Sequence, residues 1–501
     1  MASTLRGFHF NTASGADYYY DDCTGMVYPC PEGLKHFLLS RDSRNVGRLR
    51  KDPTNERKPW ERFVNERHAA FGAFLAQKRR KRTPPRVTPS DIINSIDRQG
   101  FRQLILTLTS NCNMQCRYCV NSDQYPYASN FPHGPMSFRV AQKAIDYYLG
   151  NLTKMRRSDP CRKGAITFYG GEPLLQFSVL VRSVQFIRER GTKDILFNVS
   201  TNGLLLDDHI SDFLVENHFG IWVSLDGPRK EHDRNRLLSD GRGTFGRVFA
   251  NVERFWKRHP GYRLLGFLVT YDWGTDMFEL LKFFDGREEF RRSMFMFNQV
   301  SPYFTDYYRR FSAQDRKRFL EKAKELKGLL YSHSKEASPL INFFVSATNR
   351  IHLMRKIMGP PGRPEIPATG ACLPGEKICV LPDGRFQPCE RVPGFAEIGT
   401  VEKGLDFEAI ADVVNQYNQV ITRHCHSCPI LMLCKCCFSH FWSGKEITKP
   451  SPSFCRDHVA WIREILVETY SLLEEVPEFY DHVMNLYQRD YRHWEFLSTN
   501  C

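Results

Sequence analysis

Between residues 100 and 300, short apolar runs alternate with stretches whose apolar residues recur at helical spacing. The runs cover 101–109, 165–169, 195–199, 221–225, 264–270 and 294–297. The helical stretches between them cover 138–149, 177–189, 209–216, 245–256 and 277–284. Strands at roughly thirty-residue intervals with helices between predict parallel βαβ units and an α/β fold. Ahead of them, 18–22 and 26–28 flank Thr24-Gly25 and predict a hairpin. Short helices are predicted over 31–40 and 60–79, and Pro84, Pro85 and Pro89 predict a linker, so 1–90 reads as a small α+β unit. Residues 301–368 read as a charged helical bridge closed by Pro360, Pro361, Gly362 and Pro364. A cysteine-rich segment follows over 369–460. Helices with aromatic spacing (Trp461, Tyr470, Tyr480, Trp494) end the chain over 461–501.

Composition narrows the classes. The 501 residues are 42% hydrophobic, and no apolar run approaches the length of a membrane span. The first ten residues lack a signal-peptide core, so a cytoplasmic protein with no membrane partner is expected. Sixteen cysteines in such a chain argue for metal or redox chemistry rather than disulfides. The net charge of +14 lies partly in short runs such as Lys78 to Arg82. A run like that is usually a solvated helix end, and an anionic cofactor or acidic peptide suits the charge as well as nucleic acid does. No nucleic-acid partner is expected.

Cys112, Cys116 and Cys119 stand at CxxxCxxC spacing just after the first strand. Thiolates at such spacing can wrap one face of a metal centre and select zinc, copper(I) or iron–sulfur. A structural zinc site needs four ligands, and no further Cys or His lies nearby. Three ligands suit a [4Fe–4S] cube with one open iron. Further motifs end later strands: Gly170, Gly171, Glu172 and Pro173 after the second, Ser200 to Gly203 after the third, Ser224 to Gly227 after the fourth. Two glycines allow close backbone approach to a ligand. A second cysteine group comprises Cys372, Cys379, Cys389, Cys425, Cys428, Cys434, Cys436, Cys437 and Cys455. Cys425, Cys428, Cys434 and Cys437 are also compatible with a zinc ribbon.

Together these motifs resemble the radical S-adenosylmethionine (SAM) enzymes that carry a SPASM domain and mature ribosomally made peptides into thioether products of the ranthipeptide or sactipeptide kind. The resemblance spans about residues 100–460. It implies a partial (β/α)6 barrel with active-site groups at the strand ends, a small N-terminal α+β domain that recognises a leader peptide, and a C-terminal SPASM domain. It implies a radical SAM cluster on Cys112, Cys116 and Cys119. It implies SAM contacts from Gly170, Gly171, Glu172, Pro173, Ser200, Asn202 and Ser224, with Arg236 on the cofactor carboxylate and Leu268 or Val269 on adenine. Asp226 takes the position of a catalytic acid–base group. One auxiliary [4Fe–4S] cluster falls to Cys425, Cys428, Cys434 and Cys455. The other falls to Cys372, Cys389 and Cys437, with Cys379 filling its fourth place or leaving an iron open. Related domains with CxxxC spacing would put a ligand at Phe438, so Cys436 and Cys437 both stay candidates. The implied partners are a precursor peptide with a leader and an external reductant such as flavodoxin or ferredoxin. Carbon–carbon crosslinking, sulfatase-type oxidation of Cys or Ser, and a non-enzymatic iron–sulfur or zinc scaffold are the alternatives.

Overall fold

The computed structural model describes residues 7–22, 26–29, 86–99, 101–122, 134–300 (without 158, 160, 161 and 193), 305–332, 338–340, 365–366 and 371–475 (without 392, 393, 435, 444 and 445). The helices expected over 31–40 and 60–79, the prolines at 84, 85, 360, 361 and 364, and everything after 475 lie outside the described residues. Strands β1 (Gly7–Asn11), β2 (Asp17–Asp21) and β3 (Met26–Pro29) form an antiparallel sheet with β2 central. The predicted hairpin is its second half. Phe10, Tyr20 and Val27 pack on Ile462, Leu466 and Tyr470 of the Pro452–Glu475 helix, so the start of the chain docks near its far end. The Asp22 carboxylate accepts from Met432 N at 2.8 Å.

Six strands follow in sequence order as one parallel sheet: β4 (Gln103–Thr109), β5 (Gly164–Gly170), β6 (Ile195–Thr201), β7 (Gly220–Ser224), β8 (Leu265–Tyr271) and β9 (Met294–Gln299). This is the expected partial (β/α)6 barrel. Successive strand side chains point to opposite faces. Leu104, Leu106, Leu108, Ile166, Phe168, Val199, Ile221, Val223, Phe267 and Val269 face the helices in one continuous core. The alternate set, which includes Thr107, Tyr169, Ser200, Trp222, Ser224 and Leu268, forms the inner wall. Tyr169 stands opposite Thr107, Ser200 opposite Trp222, and Ser224 opposite Leu268.

Two features differ from the sequence expectation. Pro89 opens a helix, Pro89–Gln99, rather than closing a linker. Pro fits the first helical position, where its missing N–H costs nothing. Thr88 and Asp91 supply the reciprocal cap, with Thr88 N to Asp91 Oδ2 at 2.9 Å and Asp91 N to Thr88 Oγ1 at 3.3 Å. The cysteine-rich segment is also not set apart from the barrel sheet. Strand β10 (Lys377–Val380) pairs in parallel with β4, and β11 (Arg385–Gln387), β12 (Gly399–Thr400) and β13 (Gly404–Leu405) extend that edge antiparallel. The result is a ten-stranded sheet with shared packing: Phe386 lies 5.6 Å from the Tyr147 ring of the Phe138–Met155 helix.

Candidate functional site

The three-cysteine loop leaves the carboxyl end of β4 and is held from two sides. On one side, Gly171 N donates to Thr109 O at 2.8 Å and Glu172 N to Asn111 O at 3.0 Å. A Cβ on Gly171 would sit 2.3 Å from Asn111 O, and one on Gly170 (φ +141°) 2.2 Å from Thr109 O. The two glycines therefore let the β5 turn press against the cysteine loop itself. On the other side, Gln115 N donates to Leu237 O at 2.7 Å and Arg117 N to Asn235 O at 3.0 Å. The segment supplying those carbonyls is fixed beneath. Arg234 grips both Asp272 oxygens at 2.7 Å, and Tyr307 and Asn235 bond the same carboxylate.

Cys112 is exposed, and Cys116 and Cys119 are half-buried. The three thiols lie near enough to feel one another's charge. Burial pushes Cys116 up to about 12 against the pull of Arg236. Asn202 Nδ2 lies 3.6 Å from Cys112 Sγ, and Arg236 Nη1 3.9 Å from Cys116 Sγ. This donor set fits the implied cluster. It offers three soft ligands on one loop, no other Cys or His between residues 110 and 122, and a fixed cation to offset thiolate charge.

Several of the residues expected at the cofactor also bond one another within the protein. Glu172 is fully buried and accepts from Leu174 N at 3.0 Å, Thr201 Oγ1 at 2.8 Å and Asn202 N at 2.7 Å. It ties the β5 turn to the β6 turn. Burial pushes its carboxyl up to about 7 against those three donors. Asn202 spends its amide on Asn113 Oδ1 at 2.7 Å and on Leu204 N at 3.0 Å. Arg236 is paired within the chain: its Nε donates to Asp226 Oδ2 at 2.9 Å, and its guanidinium lies 5.3 Å from the Tyr118 ring centre. Asp226 is 2% exposed and also accepts from Tyr118 Oη and from Thr270 N. These three donors tie Asp226 to the loop, to Arg236 and to β8, with Oδ2 accepting two of them and Oδ1 one. His232 sits behind it, with Nδ1 accepting from Asp226 N at 3.4 Å. Burial first, then Arg236, pushes its imidazole down to about 3. Ser200 and Ser224 are half-buried on the inner wall. Leu268 lies on that wall too, whereas Val269 is core, because adjacent strand residues cannot share a face.

At the second cysteine group, Cys425, Cys428, Cys434 and Cys455 act on one another electrostatically around Cys434. The helix Phe407–His424 delivers Cys425, a turn with Cys428 N on Cys425 O at 3.0 Å follows, and Cys455 sits in the first turn of Pro452–Glu475. Cys436 and Cys437 go to different places. Cys436 is 2% exposed and belongs beside Cys434 and His458. Cys437 caps the short helix Phe438–Phe441, where its sulfur lies 3.1 Å from Ser439 Oγ and 3.8 Å from His440 Nδ1. Burial raises that thiol, but His440 and Ser439 outweigh it and leave it at about 7. Phe438 is buried between Phe395 and Tyr417. Cys372 is exposed. Cys389 Sγ lies 3.3 Å from Glu390 Oε2. Cys379 is held in β10 with its sulfur 3.6 Å from Thr107 Oγ1. Glu390 and His458 carry no sequence signal beyond following Cys389 by one residue and Cys455 by three.

The radical SAM superfamily matches residues 106–281. The cysteine-type anaerobic sulfatase-maturating enzyme of Clostridium novyi is 25% identical over 201 residues, 40% of this chain and 51% of that protein. The radical SAM cyclopropyl synthase TigE of Paramaledivibacter caminithermalis is 24% identical over 165 residues, 32% of this chain and 34% of that protein. The chain thus spans about half the length, or less, of these curated relatives. The solved structure of anSMEcpe with bound AdoMet aligns with a TM-score of 0.55 at 18% identity, over 76% of this chain and 95% of that one, a likeness of fold.

Proposed function

We infer, from a chain whose residues 106–281 are a radical SAM domain, that this protein matures a ribosomally made peptide by joining a Cys sulfur to a carbon of another residue. Such a domain works with a [4Fe–4S] cluster and SAM. When bound, the cluster on Cys112, Cys116 and Cys119 supplies the electron that splits SAM, and so the radical that takes a substrate hydrogen. Around it, Ser200, Ser224 and Leu268 offer two hydroxyls and an apolar surface to the cofactor. Gly170, Gly171 and Pro173 shape the turn beside it. Glu172, Asn202, Asp226 and Arg236 hold the loop in register, which preorganises the site. Cys425, Cys428, Cys434 and Cys455 would hold one auxiliary cluster, and Cys372, Cys389 and Cys437 the other.

One observation carries this reading. Tyr169, on the inner wall, stands opposite Thr107, whose Oγ1 lies 3.6 Å from Cys379 Sγ, and one residue before the Gly170-Gly171 turn that presses on the three-cysteine loop. That stretch of wall, with the three-cysteine loop at one edge and Cys379 of the second group beside it, supports a reading in which one substrate residue meets both. Glu390, half-buried beside Cys389, is better placed than the enclosed Asp226 to take a substrate proton. The precursor peptide, its leader, a flavodoxin or ferredoxin reductant and a cytoplasmic setting complete the proposal. Among the described residues no helix is long and apolar enough to cross a membrane, and the described cysteines are free of disulfides. The sulfatase-maturating relative favours a second reading, oxidation of a single Cys or Ser.

The test is anaerobic turnover with SAM, dithionite and a Cys-containing precursor peptide. Formation of 5′-deoxyadenosine, with a peptide that loses two hydrogens and its alkylatable thiol, is expected. Conversion of a sulfatase-derived Cys peptide to the aldehyde would favour the second reading. No deoxyadenosine under strong reduction would refute both.

A further inference from the structure

The auxiliary site around Cys434 holds more donors than a four-cornered cluster needs. Cys425, Cys428, Cys434 and Cys455 already supply four thiols. Yet Cys436 Sγ and a ring nitrogen of His458 lie within 4.8 Å of Cys434 Sγ and of each other. Both therefore stand beside the Cys434 sulfur, and each carries a proton that it can offer there. Cys436 sits on the short link after Cys434 and is 2% exposed. His458 follows Cys455 by three residues on one helix, so both project from the same face. Its ring is held in place by two neighbours. It stacks on Phe454 at 5.8 Å and 7°, and on Trp461 at 5.5 Å and 29°. Two near-parallel neighbours restrict how the imidazole can turn. Packing thus holds the imidazole where one ring nitrogen lies within 4.8 Å of Cys434 Sγ.

We propose that His458 and Cys436 are paired hydrogen-bond donors to the Cys434 thiolate and raise the reduction potential of the C-terminal auxiliary cluster, fitting it to accept an electron. The proposal rests on the reading above in which Cys425, Cys428, Cys434 and Cys455 hold that cluster. The physical link is direct. Reduction adds negative charge to the cluster and its sulfurs, and N–H or S–H donors stabilise that charge, so removing them makes reduction harder. Partners that orient and tune a ligand without binding metal act in this way. No bond is made or broken: the two residues alter only how strongly an electron is held.

The experiment uses the full chain with Cys112, Cys116 and Cys119 replaced by Ala, so that only auxiliary iron remains. Iron content, zinc content and a redox titration followed by electron paramagnetic resonance are measured for this parent and its variants. His458→Leu is expected to keep its iron and to titrate at a lower potential. His458→Gln, which restores an N–H donor, should recover part of the loss, and Cys436→Ala with His458→Leu should fall further. An unchanged potential in His458→Leu with iron intact overturns the proposal. So does a strong nitrogen hyperfine coupling in the parent, or loss of one cluster's iron in both His458 variants, since either makes His458 a ligand. A parent that carries zinc at this site refutes the underlying cluster reading instead, an outcome separable from the others by the metal analysis.

Discussion

Glu172→Gln isolates the carboxylate that joins the β5 and β6 turns. The amide keeps the shape and the Oε1 acceptor that serves Leu174 N and Thr201 Oγ1. It replaces Oε2, however, with an NH2 group facing Asn202 N, a donor now 2.7 Å from its acceptor. Two buried donors then oppose each other, and the unpaired group costs about 1–3 kcal/mol. Local opening is the readout that isolates this bridge from the rest of the fold. Hydrogen exchange by mass spectrometry of peptides covering 170–174 and 200–204 should quicken, and about 2 kcal/mol corresponds to roughly thirtyfold. SAM affinity should fall with it, because the turn that shapes the cofactor's bed is the one released. The carboxyl also titrates. Folded, it keeps its proton to about 7, whereas its ordinary value is 4.5. The stability it contributes is therefore complete below 4.5 and fades as pH rises through about 7, a change absent from Glu172→Gln. Unaltered exchange at Asn202 in the variant would refute the bridge.

Gly171→Ala should cut iron on the first site and SAM binding, because its Cβ would meet backbone oxygens of Ser110 and Asn111 within 2.6 Å; full iron in the variant would contradict the close approach. Asp226→Ala leaves Arg236 buried and unpaired, a loss of about 3–5 kcal/mol, while Asp226→Ala with Arg236→Met should recover most of it in thermal melts of the iron-loaded chain. His232 responds to acid. Unfolded, it takes a proton near 6.5, but in the fold only near 3, so stability drains as pH falls through that window, by up to about 5 kcal/mol. Denaturant titrations at stepped pH, with His232→Gln as control, check the slope. Glu390→Gln should leave deoxyadenosine formation intact while slowing peptide product, seen by mass spectrometry.

Much of this arrangement is written locally in the chain. The six parallel strands announce themselves by apolar runs, and the cysteine loop and the glycine turn by spacing. What stays hidden depends on partners far apart in sequence. Nothing near Glu172 in sequence reveals Thr201 and Asn202 arriving from the next strand to bond it. The sequence does not show that Asp226 and Arg236 pair with each other and meet Tyr118. The Arg234–Asp272–Tyr307 knot draws on three separate connections. Strand β10 is four residues long, and its parallel pairing with β4, more than 270 residues earlier, has no local signature. Cys436 and Cys437 are adjacent and indistinguishable as letters. Only the turn into the Phe438–Phe441 helix sends their sulfurs apart.

The pairing of β10 with β4 also governs how the molecule can be cut. If the chain were ended after β9, the backbone N–H and C=O groups of β4 that now meet Lys377–Val380 would line a bare margin. A flat, apolar, unguarded strand of that kind recruits other strands and aggregates. The six-stranded half is therefore not a detachable module, and the strand that covers its flank also carries Cys379, so a cut that bares the edge removes that thiol as well.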